Sequence, residues 1–159
     1  MIKLEAIELF KIGILSDFPF GTLRESVTAK LGEPDCVIEN EESSMIRYDY
    51  IEFHFIHLNE NVKKLDGIVI IPKHETDSPE RISIDCDWFN SNLNYEQTMR
   101  NLTSIGINFK ETVSEADKEE KVIKTSGNVS FLFFPDDHKI CKAGKFVGIE
   151  EIENKHTIG

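Results

Sequence analysis

Cysteine is scarce in this chain. Cys36, Cys86 and Cys141 are the only three in 159 residues, widely spaced, with no Cys-x-x-Cys pair and no histidine at ligand spacing. An odd, scattered set argues against a disulfide framework and fits a reducing compartment. Long apolar runs are missing as well: nothing approaches the roughly 20 residues of a membrane-spanning helix. Lys3, Glu5 and Glu8 interrupt the first ten residues, which therefore lack a signal-peptide core, and a cytoplasmic location is expected. No Gly-x-Ser-x-Gly elbow, no glycine-rich phosphate loop and no cysteine in an electropositive setting is found. The expectation is a non-enzyme with no catalytic residues, no metal and no cofactor.

Positive charge is also in deficit. Eighteen Lys and Arg stand against 29 Asp and Glu, a net charge of −11, and both halves of the chain are acidic. Such a field repels nucleic-acid backbones and anionic lipid, so neither nucleic acid nor membrane is an expected partner. Basic proteins are favoured electrostatically. What is present is a globular composition, 40% hydrophobic and 30% charged, with eleven Phe and a single Trp. A chain of this length buries roughly 70% of its unfolded surface and needs no disulfide or metal to hold a core.

Along the chain, residues 2 to 15 show no clean period, with strand favoured for their second part. Thr22 and Glu25 form a capping-box pattern ahead of Leu23, Val27 and Leu31, and Gly32 and Pro34 end that helix. Cys36 to Glu39 reads as a strand, residues 39 to 44 as a polar turn, and Met45 to Ile56 as one long strand rich in aromatic and β-branched residues. Val62 to Ile71 returns after Asn59-Glu60-Asn61. In the second half, Arg81 to Cys86 alternates as a strand. Asn94 and Gln97 then cap a helix carrying Met99, Leu102 and Ile105, stopped at Gly106. Ser114 to Lys121 reads as a solvated helix or loop.

A shift of 78 residues lays Ile51 to Ile56 on Val129 to Phe134, then Val62 on Ile140 and Ile68 on Phe146. The helices align at a shift of 74, from Gly32 to Gly106. This pattern predicts an internal duplication. The expected fold is α+β: two tandem helix-plus-antiparallel-sheet units, pseudo-repeats 1–78 and 79–159, joined near residues 72 to 80 in a single domain 1–159.

A helix that enters at Phe20-Gly21-Thr22, leaves at Leu31-Gly32-Glu33-Pro34 and precedes a meander, twice over, resembles the tandem-repeat architecture of the β-lactamase inhibitory protein family. The first unit is also similar to the helix entry and exit of outer-membrane assembly lipoproteins, without their lipid-bearing cysteine. In overall style the chain resembles small acidic bacterial immunity proteins. The resemblance implies protein-binding inhibition and carries over no individual residue.

Histidines 54 and 57 sit at i and i+3 in a predicted strand, pointing to opposite faces, so a shared metal is disfavoured. Asp85 and Asp87 fall on one predicted strand face about 7 Å apart, better suited to an acidic edge than to acid–base chemistry. Asp136-Asp137-His138 follows Pro135 and reads as a turn. Surface is what remains. With Ile51, Phe53 and Phe55 packed inward, Tyr48, Tyr50, Glu52 and His54 form an outward stripe, matched by Ser130, Leu132, Phe134 and Asp136. Trp88, between Asp87 and Phe89, is either a core plug or an interface anchor. The expected partner-binding set is Glu39, Glu41, Glu42, Tyr48, Tyr50, Glu52, His54, Asp85, Asp87 and Trp88. The expected function is an inhibitor, an immunity protein that neutralises a basic toxin such as a nuclease; the alternative is a small-ligand enzyme or sensor domain with a pocket between the halves.

Overall fold

The computed structural model describes residues 2–72, 81–113, 119–136 and 138–144. Strand β1 (Ile2–Glu5) is followed by helix α1 (Ile7–Ile12), helix α2 (Arg24–Leu31) and a meander of β2 (Cys36–Glu39), β3 (Ser43–Tyr48), β4 (Ile51–His57) and β5 (Lys63–Ile70). Strand β6 (Ile82–Asp85) and helix α3 (Tyr95–Ser104) lead into a second meander, β7 (Phe109–Val113), β8 (Lys121–Thr125), β9 (Val129–Phe133) and β10 (Lys139–Gly144). The two meanders form one antiparallel sheet in the order β2-β3-β4-β5-β10-β9-β8-β7, and β1 pairs with β6 in a separate parallel ribbon.

The expected α+β class is therefore corrected. The described residues form a mainly β structure: three short helices lie against ten strands, and the large sheet is continuous rather than divided between two helix-plus-sheet units. Two causes are visible. Strand β5 pairs directly with β10, a non-local contact that periodicity does not register, and the polar stretches of β7 and β8 are strands. The register shift of 78 holds for β4 and β9, where Phe53 and Phe131 both point inward and are buried. It fails after the next turn: Ile68 stands opposite Phe53, but Cys141 stands opposite Phe131. Phe146, the expected counterpart, lies outside the described residues, as do residues 73–80 of the expected joint and residues 114–118.

Three further local expectations give way to tertiary contacts. Residues 2 to 15 are strand first and helix second, whereas strand is what the sequence favours for the second part. Thr22 does not cap α2; its hydroxyl donates to the Pro19 carbonyl, and the N-cap is Leu23. The reason is that the Gly21 N–H and Thr22 carbonyl both bond Leu65, and Leu23 bridges Lys64, so this backbone already belongs to the sheet. The long strand from Met45 to Ile56 breaks at Asp49-Tyr50, where Asp49 takes a positive φ of 53° and turns a tight hairpin. By contrast Asn94 caps α3 as expected, its Oδ1 accepting from the Gln97 N–H at 2.8 Å.

One face of the sheet carries Ile46, Tyr48, Phe53, Phe55, Ile68, Ile123, Phe131 and Cys141, all buried. The helices and loops cover it. Phe10 of α1 lies with its ring centroid 5.0 Å from Phe131, 5.5 Å from Trp88 and 6.2 Å from Phe89. Phe18 meets Phe53 edge-on at 5.8 Å. Burial of each such ring is worth roughly 1.5–3 kcal/mol, which explains why a chain with few long helices nonetheless closes around its phenylalanines.

Candidate functional site: the open edge and outer face of the sheet

Strand alternation leaves the opposite face of the sheet with polar and apolar rows. One cross-strand row runs Arg47, Glu52, Val69, Lys142, Ser130, Lys124 and Lys110, one residue from each of β3, β4, β5, β10, β9, β8 and β7. Glu52 is the only carboxylate in it. A hydrogen bond to its Oε1 from His54 Nε2 at 3.1 Å, the His54 charge and the nearby Arg47 and Lys142 together hold the Glu52 carboxyl below its usual range, against the opposing effect of burial. Of the expected acidic, aromatic stripe, Glu52 thus lies in a largely cationic cross-strand row, between Arg47 and Val69.

Tyr48 does not belong to that stripe. Because the hairpin turn falls at Asp49-Tyr50, Tyr48 pairs with Ile51 and points into the core, fully buried, its hydroxyl donating to the Gly32 carbonyl at 2.7 Å. Burial pushes its phenol up to about 12. Tyr50 sits half-buried in the hairpin loop. In the second half Ser130 and Leu132 share the outer face, whereas Phe134 and Asp136 lie beyond the end of β9.

The acidic residues of the first half gather at one margin of the sheet. Among the described residues strand β2 pairs only with β3, so its other side is an open edge there. Asn40 Oδ1 accepts from the N–H groups of Glu42 and Ser43, shaping the β2–β3 turn that carries Glu41 and Glu42. Glu39 is engaged rather than free: Lys63 Nζ lies 2.6 Å and Arg24 3.1 Å from its Oε1, and the Lys63 bond is the main cause of its lowered pKa. Asp35 pairs with Arg81 at 2.9 Å. Between these carboxylates Val37 is 47% exposed and Ile38 59%, two apolar side chains that the sequence reading passed over. Their signal was an unbroken apolar pair in a strand whose neighbours are all charged or polar at one end.

Asp85 and Asp87 do not share a strand face, because β6 ends at Asp85 and a turn follows. Both are exposed, on the parallel ribbon's side of the molecule and in a different element from the β2 edge. Trp88 is half-buried, its ring packed on Phe10 and Phe131, so it serves the core on one side and reaches solvent on the other. His54 and His57 are held by different partners, Glu52 and Ser44, and burial pushes His57 down. Among the described residues no group of three or more His, Cys, Asp or Glu is arranged to hold a metal. His138 Nδ1 lies 2.7 Å from Asp136 Oδ2 in an exposed turn; Asp137 lies outside the described residues. Among the described residues no helix is long and apolar enough to cross a membrane. No protein-family model, curated protein or solved structure matches the chain.

Proposed function

We propose that this chain is a protein-binding inhibitor that receives a basic partner along the open edge of β2, in the manner of an immunity protein that neutralises a toxic nuclease. The observation that carries this reading is the pairing of exposed Val37 and Ile38 with Glu33, Asp35, Glu39, Glu41 and Glu42 on and beside a strand whose outer hydrogen-bonding side no described residue pairs with. An open edge offers backbone groups to an added strand, exposed aliphatic side chains supply area, and carboxylates select and steer a cationic partner. The overall charge of −11 extends that steering to longer range.

The test is affinity capture with the full tagged chain in its source cells, with the Ile38→Lys variant in parallel. The expected result is a retained protein of high isoelectric point that is released by salt and is not retained by the variant. Retention of only neutral or acidic proteins, or equal retention by the variant, overturns the reading.

A further inference from the structure

The loop leading into α3 and the first turns of that helix enclose an open cleft of about 370 Å³, lined by Trp88, Asn90, Asn92, Gln97, Arg100 and Asn101. Its volume falls in the range of small-molecule sites, and its chemistry is unlike the rest of the surface. In a chain with 29 carboxylates the lining holds one indole, four carboxamides, one guanidinium and no acid. Helical spacing brings Gln97, Arg100 and Asn101 to one face of α3, at i, i+3 and i+4.

The rim is set before any ligand arrives. Asn90 Nδ2 donates to the Asp87 carbonyl at 3.1 Å, and its Oδ1 accepts from the Asn92 N–H at 2.9 Å. Asn94 fixes the start of the helix beside it. Trp88 is wedged against Phe10 and Phe131, so its cleft-facing edge is held by the core. Four of the lining groups are uncommitted: among the described residues the Trp88 indole N–H, the Gln97 and Asn101 amides and the Arg100 guanidinium have no hydrogen-bond or ion-pair partner. Glu96, in the preceding turn, does not pair with Arg100.

Carboxamides donate and accept through one planar group, which matches hydroxyls that do the same. An indole adds an apolar surface for C–H groups and one donor. A guanidinium matches a carboxylate with two parallel N–H bonds. We infer that this cleft binds a sugar unit bearing a carboxylate, of the uronic-acid type. Asp87 and Glu96, both exposed, adjoin the lining residues Trp88 and Gln97 and oppose an anion locally; more distant charges are screened beyond about 8 Å at physiological salt, and Arg100 acts at contact. The site lies in segment 88–101, apart from β2, and does not depend on the partner reading.

Trp88 is the only tryptophan, so the protein's own indole emission reports the cleft. Glucuronate is titrated into the full chain at constant ionic strength, with glucose as the neutral control, and saturation-transfer NMR on the same samples detects sugar protons directly. Saturable binding of glucuronate with a Kd of about 1 mM is expected for a ligand of this size, with glucose roughly tenfold weaker. Arg100→Gln, an exposed change, should abolish that preference without moving the melting temperature. Absence of saturable binding by both methods, equal binding of glucose, or an Arg100→Gln variant that still prefers glucuronate overturns the assignment.

Discussion

The Tyr48 hydroxyl donates to the Gly32 carbonyl at 2.7 Å, which ties the end of α2 to the β3–β4 hairpin sixteen residues away. Tyr48→Phe keeps the ring against Phe53 but leaves that carbonyl without this donor, and should cost about 1 kcal/mol, read from the urea midpoint. The phenol, raised to about 12 in the fold by burial, ionises from 10 in the unfolded chain. Its contribution is thus complete below pH 10 and is lost as pH rises toward 12. Absorbance titration should show little native-state ionisation of Tyr48 below pH 11.

Gly127 sits where the β8–β9 turn meets the end of α1. A Cβ there would stand 2.7 Å from the Phe10 carbonyl oxygen and 2.8 Å from the N atoms of Ile12 and Gly13, all backbone that cannot swing aside. Gly127→Ala should therefore destabilise by at least about 2 kcal/mol, whereas Gly21→Ala, with open space around it, carries only the strain of its positive φ of 96°. Comparing the two midpoints separates crowding from backbone strain.

How far the fold was legible depended on whether the signal was local. Asn94 and Gln97 announce α3 because a cap is completed within one turn, and Gly32 stops α2 for the same reason. Thr22 and Glu25 spell an equally good box, yet the sheet takes their backbone first through Leu65. The Asp49-Tyr50 hairpin lacks the glycine that usually marks such a turn, so unbroken strand alternation places Tyr48 on the outer face, where the hairpin turns it inward. The pairing of β5 with β10 joins residues about seventy positions apart, and nothing in either strand names its neighbour. Of the expected site, Glu39, Glu41 and Glu42 do gather at one edge, but Val37 and Ile38 acquire meaning only once β2 is known to have a single neighbour.

Acid should weaken the protein partly through Glu52. Its folded-state pKa lies below 4.5 because His54 hydrogen-bonds it, so the unfolded chain takes up this proton first and stability falls as pH drops below 4.5 through the lowered value. Glu52→Gln removes that dependence. Urea midpoints measured between pH 5 and pH 3 should decline more steeply for the native chain than for the variant; parallel declines would show that the His54 contact adds nothing.

All three thiols are free, in three different settings. Cys141 is buried in the sheet and burial pushes its thiol far up; Cys86 is half-buried and raised to about 11, again chiefly by burial. Cys36 lies half-exposed on the open edge strand. Thiolate is the reactive form, so a disulfide reagent at pH 8 should modify Cys36 first, Cys86 slowly and Cys141 only on unfolding. Denaturation without reductant should release three titratable thiols.

The β2 edge makes a kinetic prediction that distinguishes steering from contact. Glu41 lies exposed in the β2–β3 turn, whereas Glu39 is already paired with Lys63 and Arg24. Glu41→Gln should lower the association rate of a cationic partner severalfold at low salt, with little change in dissociation, because exposed charges act mainly before contact. Glu39→Gln should do less to association, since its charge is largely answered within the molecule. Ile38→Ala should leave association intact and speed dissociation about tenfold, the equivalent of losing roughly 1.4 kcal/mol of buried aliphatic surface. Stopped-flow association at two salt concentrations and surface-based dissociation separate these outcomes. A partner whose rates ignore both Glu41 and Ile38 docks elsewhere, and the cationic outer row of Arg47, Lys142, Lys124 and Lys110 would then be the surface to substitute next.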